Sequence, residues 1–271
     1  MLQKKIVIDH IVPQLTIPVV SGGKLFKPSW SVTGIVAHDW YRNKLKDDET
    51  DYTGGLPNHN EREEIEQHER LQPTVGFAIL GNYRFRKNMM IQAGMLYSKS
   101  VMNAGPRHIY AQKTTSGDVA YKLNLSSGFT YINTGPGSHP NVGDSLETTY
   151  THNNIQYFSI PVIFHYLKSI GRVTFSPGIG IAASFVTGTR VHTEIVDGSR
   201  REEEEERSIE GLKPANLRLV LTGDLTYSIN RRWSLCIVPA YRYSLTSITK
   251  NSIVKSFPYN FSAGAGFMYN F

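Results

Sequence analysis

Six residues able to do chemistry fall on the small, polar faces of alternating segments: Arg84, Tyr157, His165, Arg218, Asp224 and Arg242. Guanidinium, imidazole, phenol and carboxylate groups lined along a lumen could pass a proton or small ion. They could equally form an internal hydrogen-bonded and ion-paired plug, because charges taken out of water must find partners; the plug is the preferred reading. Catalysis is harder to assemble. His38 and Asp39 are adjacent, so in a strand they point to opposite faces. His165 shares a face with Ser159 but lies near the wrong end for an external substrate, and no Ser–His–Asp arrangement forms. No catalytic residue is therefore expected. The single cysteine, Cys236, excludes an intrachain disulfide and an all-Cys metal site, and reads as an inward packing residue. His59 and His68 lack a metal-ligand pattern. No metal and no cofactor are expected.

These residues need strands to position them. In Phe257–Phe271 the odd positions (Phe257, Tyr259, Phe261, Ala263, Ala265, Phe267, Tyr269, Phe271) are aromatic or Ala, and the even ones are Pro, Asn, Ser, Gly or Met. Alternate side chains of a strand lie on opposite faces. One face is thus oily with aromatic ends, as in a strand crossing a bilayer between two aromatic girdles. The same alternation recurs over Trp30–Tyr41, Leu71–Phe85 (with Leu71 on the oily face), Met89–Val101, Gln156–Tyr166, Val173–Phe185, Ala215–Ile229 and Trp233–Leu245, making eight strands in all. Single-chain bacterial barrels have an even number of strands. The opposite faces are rich in Gly, Ser, Thr and Asn, which suits a narrow lumen. A soluble sandwich or lipocalin-like barrel, with its apolar face inward, is the competing arrangement.

The connections alternate in length. Arg86–Asn88, Lys168–Gly171 and Asn230–Arg232 are tight, whereas about 42–70, 102–155, 187–214 and 246–256 are long. That is the turn-and-loop asymmetry of outer-membrane barrels, with both termini periplasmic and the long loops extracellular. No apolar run reaches the ~18 residues of a membrane helix. The start, MLQKKIVIDH, lacks a long apolar core and a cleavage site, so it is not a secretory signal; residues 1–28 read as a periplasmic lead-in or linker. The net charge of +6 is dispersed among strand ends and loops, so no nucleic-acid partner is expected. Within the loops, Arg200–Arg207 (RREEEEER) reads as a solvated tip or short helix, with divalent-cation binding bridging to lipopolysaccharide as a sharper alternative. Glu61–Arg70 reads as a short exposed helix. The alternation of Tyr121, Leu123 and Leu125 predicts a hairpin above the membrane, and 102–155 is too long for a mere connector.

The stretch YFSIPVIFHY (Tyr157–Tyr166) followed by VTFSPGIGIAASF resembles two consecutive strands of the PorT-like outer-membrane β-barrel proteins of Bacteroidota. The endings YSINRRWSLCIVPAYRYSLTSI and FPYNFSAGAGFMYNF resemble that family's last hairpin segments. The resemblance covers about residues 30–271, is strongest from Tyr157 onward, and is structural. It implies no shared catalytic residues. The terminal aromatics Phe267, Tyr269 and Phe271 look like the assembly signal read by the barrel assembly machinery. The expected fold is thus all-β, an eight-stranded antiparallel up-and-down transmembrane β-barrel at 29–271. The expected role is a non-enzymatic structural, binding or accessory subunit of the envelope. Its partners would be outer-membrane lipid, lipopolysaccharide and possible envelope proteins. A narrow porin and an outer-membrane enzyme acting on lipid or peptide are the alternatives.

Overall fold

The computed structural model describes residues 26–47, 61–114, 116–133, 140–197 and 200–271. In chain order its elements are β1 (Ser29–Asp47), α1 (Glu61–His68), β2 (Glu69–Gln72), β3 (Thr74–Arg86), β4 (Met89–Ala104), β5 (Arg107–Lys113), β6 (Val119–Leu125) and β7 (Gly128–Ile132). There follow β8 (Ser145–Tyr166), β9 (Lys168–Ile170), β10 (Val173–Asp197), β11 (Arg200–Glu206), β12 (Ala215–Ser228), β13 (Trp233–Ser244) and β14 (Val254–Asn270). Eight of these strands pair antiparallel in a closed ring, β1–β3–β4–β8–β10–β12–β13–β14, and β14 returns to β1 along Ser31↔Asn270 to Asp47↔Val254. Closure leaves no open edge in the ring.

The outside of this ring is oily. Ile79 is 68 % exposed, Met95 62 % and Ile179 56 %, amid Val36, Phe77, Val162, Ile181, Leu225 and Ile237. Such a continuous apolar band far exceeds what a soluble monomer presents to water. Aromatics border it. At the end holding the tight turns, Trp30 packs on Tyr83 (4.5 Å between centroids), Phe85 on Phe164 (6.2 Å) and Trp233 on Tyr269 (5.0 Å). At the other end Trp40 neighbours Phe261 (6.0 Å) and Tyr241 neighbours Tyr259 (6.1 Å). An apolar band between two girdles around a closed strand ring is the pattern of a transmembrane β-barrel. No described helix is long and apolar enough to cross a membrane.

The wall strands are longer than alternation alone indicates. β8 has 22 residues and β10 has 25, so both continue past the band into the loop end. There β5 pairs with β8, β6 with β5, β7 with β6, and β11 with β10. The predicted hairpin around Tyr121–Leu125 is β6–β7. Arg200–Glu206, expected as a tip or helix, is instead a strand paired with β10, where Arg201 and Glu205 face charged partners: Arg190 Nε lies 3.3 Å from Glu205, and Arg201 Nη1 3.5 Å from Glu194. The helix at Glu61–His68 is not wholly exposed; Ile65 is buried with Leu45 and Val254, seating α1 on the wall. Leu71 is also corrected. Pro73 interrupts the alternation between β2 and β3, and Leu71 packs inward against the loop-end core instead of joining the oily face. The proposed lead-in, apart from residues 26–28, and His59 lie outside the described residues.

Candidate functional site

Three layers fill the barrel interior. Nearest the tight turns is a polar chain. Asn82 Nδ2 donates to Thr33 Oγ1 (2.8 Å) and Ser31 Oγ (3.2 Å), and Gln92 Nε2 donates to Asn82 Oδ1 (2.8 Å). His165 Nε2 faces Gln92 Oε1 at 3.3 Å, while its Nδ1 faces the Ser176 carbonyl at 3.2 Å and Asp224 Oδ2 at 4.0 Å. Both ring nitrogens thus face oxygen atoms. Thr222 donates to Asp224, closing the chain.

The middle layer is apolar, which the glycine- and serine-rich faces did not announce. Ile35, Ala37, Ala78, Leu80, Leu96 and Cys236 form one buried group, and Ile163, Ala182 and Val220 a second. Between them lies a cavity of only about 40 Å³. Side chains thus fill the section, as the diameter of an eight-stranded barrel dictates.

The third layer, toward the loops, is charged. Asp39 is fully buried; its Oδ1 accepts from Arg242 Nη1 (3.2 Å) and Asn260 Nδ2 (3.1 Å). Arg218 is 3 % exposed and lies with its guanidinium 4.6 Å from the Tyr157 ring centre. Two interior arginines thus share a layer with one carboxylate. Asp39 does not figure among the expected lumen residues, yet the outward run Trp30, Val32, Val36, His38 and Trp40 places it inward by parity. His38 points outward and stacks edge-on with Trp40 at 4.5 Å.

Of the six residues singled out, Tyr157, His165, Arg218 and Asp224 are buried inside and Arg242 nearly so. The six do not form one cluster. His165 and Asp224 belong to the first layer, and Tyr157, Arg218 and Arg242 to the third. Arg84 belongs to neither: it shares the inward parity, but it sits at the barrel rim, donating to the Lys87 carbonyl and lying 5.5 Å from the Phe26 ring. Being one step from a tight turn, its long side chain reaches water. Phe267, Tyr269 and Phe271 lie along the aromatic border at the turn end.

Above the charged layer, the β6–β7 hairpin occupies the barrel mouth. Leu123 and Leu125 are fully buried among Met102, Ile155, Tyr157, Val191 and Ile195. Its tip is held from four sides. Ser126 N–H donates to Glu69 Oε1 (2.9 Å), Asn43 Nδ2 donates to Ser126 Oγ (2.6 Å), Ser126 Oγ contacts Met102 Sδ (3.2 Å), and Asn153 Nδ2 donates to Ser127 Oγ (2.8 Å). Burial holds the Glu69 carboxyl above its usual range, partly offset by the nearby Arg107. Gly128 allows the close approach behind the tip: with φ +138°, a Cβ there would meet the Glu210 carbonyl at 2.3 Å. Beside the tip, Tyr41, Leu45, Ile65, Glu69 and Leu71 wall a pocket of about 280 Å³. No described group of three or more His, Cys, Asp or Glu residues could hold a metal ion.

No family model matches the chain, and no curated protein matches it. Among solved structures it is similar to the outer membrane protein OprG from Pseudomonas aeruginosa (12 % identity, 90 % of this chain and 95 % of that one, TM-score 0.40). It is also similar to Neisserial surface protein A (13 %, 91 % and 100 %, TM-score 0.38). A third likeness is to Ail, the attachment invasion locus protein of Yersinia pestis (10 %, 90 % and 97 %, TM-score 0.33). The ring, the girdles and the filled interior define the class by themselves: an eight-stranded transmembrane β-barrel.

Proposed function

We propose that this chain is a non-conducting, non-enzymatic barrel of a bacterial outer membrane that anchors a binding or accessory platform built by its loop-end strands. One observation carries the reading. The interior is closed three times over, by the His165 layer, the apolar layer and the Asp39 layer, and the Ser126–Ser127 tip sits over the last of them. A solute path would have to cross a packed apolar section whose cavity is about 40 Å³, so the interior serves stability and the loop end is the part free to bind. Surface structure on a rigid scaffold is where recognition usually sits. The turn-and-loop asymmetry favours periplasmic termini and extracellular loops. The non-enzymatic reading is supported by the separation of the reactive groups: His38 faces outward, Asp39 is held by Arg242, and His165 lies deep at the turn end.

Single-channel recording in planar bilayers tests this directly. The refolded protein should give no conductance steps, and a variant with its Leu125–Gly128 tip shortened should stay silent because the apolar layer remains. Discrete steps from the unaltered protein would replace this reading with the narrow porin.

A further inference from the structure

The charged layer inside the barrel does not balance. Asp39 carries one negative charge, and Arg242 Nη1 holds its Oδ1 at 3.2 Å. Arg218, only 3 % exposed, brings a second cation to the same level. Its guanidinium lies 4.6 Å from the centre of the Tyr157 ring; a ring quadrupole attracts a cation but does not neutralise it. Arg218 pairs with no carboxylate among the described residues. Its Nε and Nη2 are buried, and neither finds a hydrogen-bond partner there. A buried charge is stable only when it is both paired and hydrogen-bonded. A water bridge to Asp39 would occupy the donors and leave the sum unchanged, because water is neutral and the layer would still hold two cations to one carboxylate.

The space beside Arg218 fixes the kind of counter-charge. Arg218, Tyr41, Tyr157 and Asn153 line a cavity of about 10 Å³, with Ser126 and Ser127 of the tip on its wall. That is room for one water-sized particle, and too little for a phosphate, a sulfate or a carboxylate-bearing ligand. Guanidinium offers donors only, so its unmet groups call for an acceptor. The Tyr41 hydroxyl on the same wall is buried without a hydrogen-bond partner and supplies a further donor. Asn153 Nδ2 is committed to Ser127 Oγ at 2.8 Å, and its unpartnered Oδ1 repels an anion, which leaves the Arg218–Tyr41 side as the favourable one. We infer that Arg218 holds a single monatomic anion of the halide class in this cavity, as a built-in counter-ion occluded by the β6–β7 tip. The ion would be taken up as the barrel closes, and its site rests on the closed-interior reading.

The test uses the full chain refolded from urea into detergent micelles, in sodium chloride, sodium bromide or sodium gluconate at equal ionic strength. Halide at a hundredfold excess over its dissociation constant should raise the melting temperature by about 5–10 °C over gluconate. Arg218→Met should abolish that difference, while Arg84→Gln at the turn-end rim should keep it. Crystals of the bromide sample should show an anomalous peak within hydrogen-bond reach of Arg218 Nε or Nη2. Equal melting in the three salts would overturn the site, as would a halide shift that survives Arg218→Met. So would a featureless anomalous map beside Arg218, or a plain water there, which would reduce the layer to a hydrated one. The diffraction uses the unaltered protein, so it decides even where Arg218→Met does not fold. Conductance steps in planar bilayers would defeat the closed-interior reading on their own, whereas a silent barrel without the bromide peak defeats only the anion site.

Discussion

The two polar layers inside the barrel solve the same problem by different chemistry. The turn-end layer is a chain of amides and hydroxyls, Thr33–Asn82–Gln92–His165, that ends in one carboxylate. The loop-end layer places two arginines around Asp39, with Asn260 completing one oxygen. A chain of amides and hydroxyls spreads the loss when one link is cut. A charged centre concentrates it, because removing the single acid leaves cations buried without a counter-charge.

Mutations that break this contrast should differ in size. Asp39→Asn should be the most damaging, lowering stability by about 3–5 kcal/mol, read as the urea midpoint of the folded protein in lipid vesicles. Arg242→Leu added to it should recover part of the loss, and a double-mutant cycle showing no coupling would refute the central role given to Asp39. Paired glycine substitutions probe both layers with the same perturbation. A Cβ at Gly76 would lie 2.8 Å from Asp39 Oδ2, and one at Gly178 would lie 2.7 Å from the His165 ring. Each Gly→Ala should cost about 1–3 kcal/mol through overpacking, and the Gly76 loss should shrink in an Asp39→Ala background, where the crowding carboxylate is gone, while the Gly178 loss should not. Gln92→Ala should cost about 1–3 kcal/mol by unlinking Asn82 from His165, less than Asp39→Asn in the same assay; an equal loss would erase the distinction between the layers.

The smallest expected effect lies above both layers. Glu69 is held above the ordinary carboxylate value of 4.5 chiefly by burial, so the folded state binds its proton more tightly than the unfolded chain does. Its contribution is therefore full below the ordinary value and is lost as pH rises through the folded one. Hydrogen exchange at the β6–β7 tip should thus quicken as pH rises from the ordinary value to neutral, after correction for intrinsic rates. Glu69→Gln should flatten that trend, since an amide oxygen can still accept the Ser126 N–H. An unchanged trend in the variant would remove Glu69 as its source.

Much of the wall was legible in the chain itself. Strand alternation is a local property, and Val173–Phe185, Ala215–Ile229 and Trp233–Leu245 carry it without interruption, so their outward residues follow from parity alone. Where parity is interrupted, reading fails: Pro73 turns Leu71 inward, and the excess length of β8 and β10 is masked by polar residues such as His152 and Asn154 that no longer face lipid. The charge run at Arg200–Arg207 has no apolar alternation to betray a strand; only β10 beside it supplies the complementary charges.

The sequence by itself determined the number of wall strands, their faces, the tight-turn and long-loop asymmetry, and the aromatic borders, because each depends on residues near one another in the chain. Tertiary structure alone decided which inward residues meet. Asp39 and Arg242 are 203 positions apart and Asp39 and Asn260 221 apart, and ring closure brings them to one level. The split of the polar residues into two layers, the apolar layer between them and the Ser126–Ser127 tip over the mouth are likewise set by shear and register, which no single segment encodes.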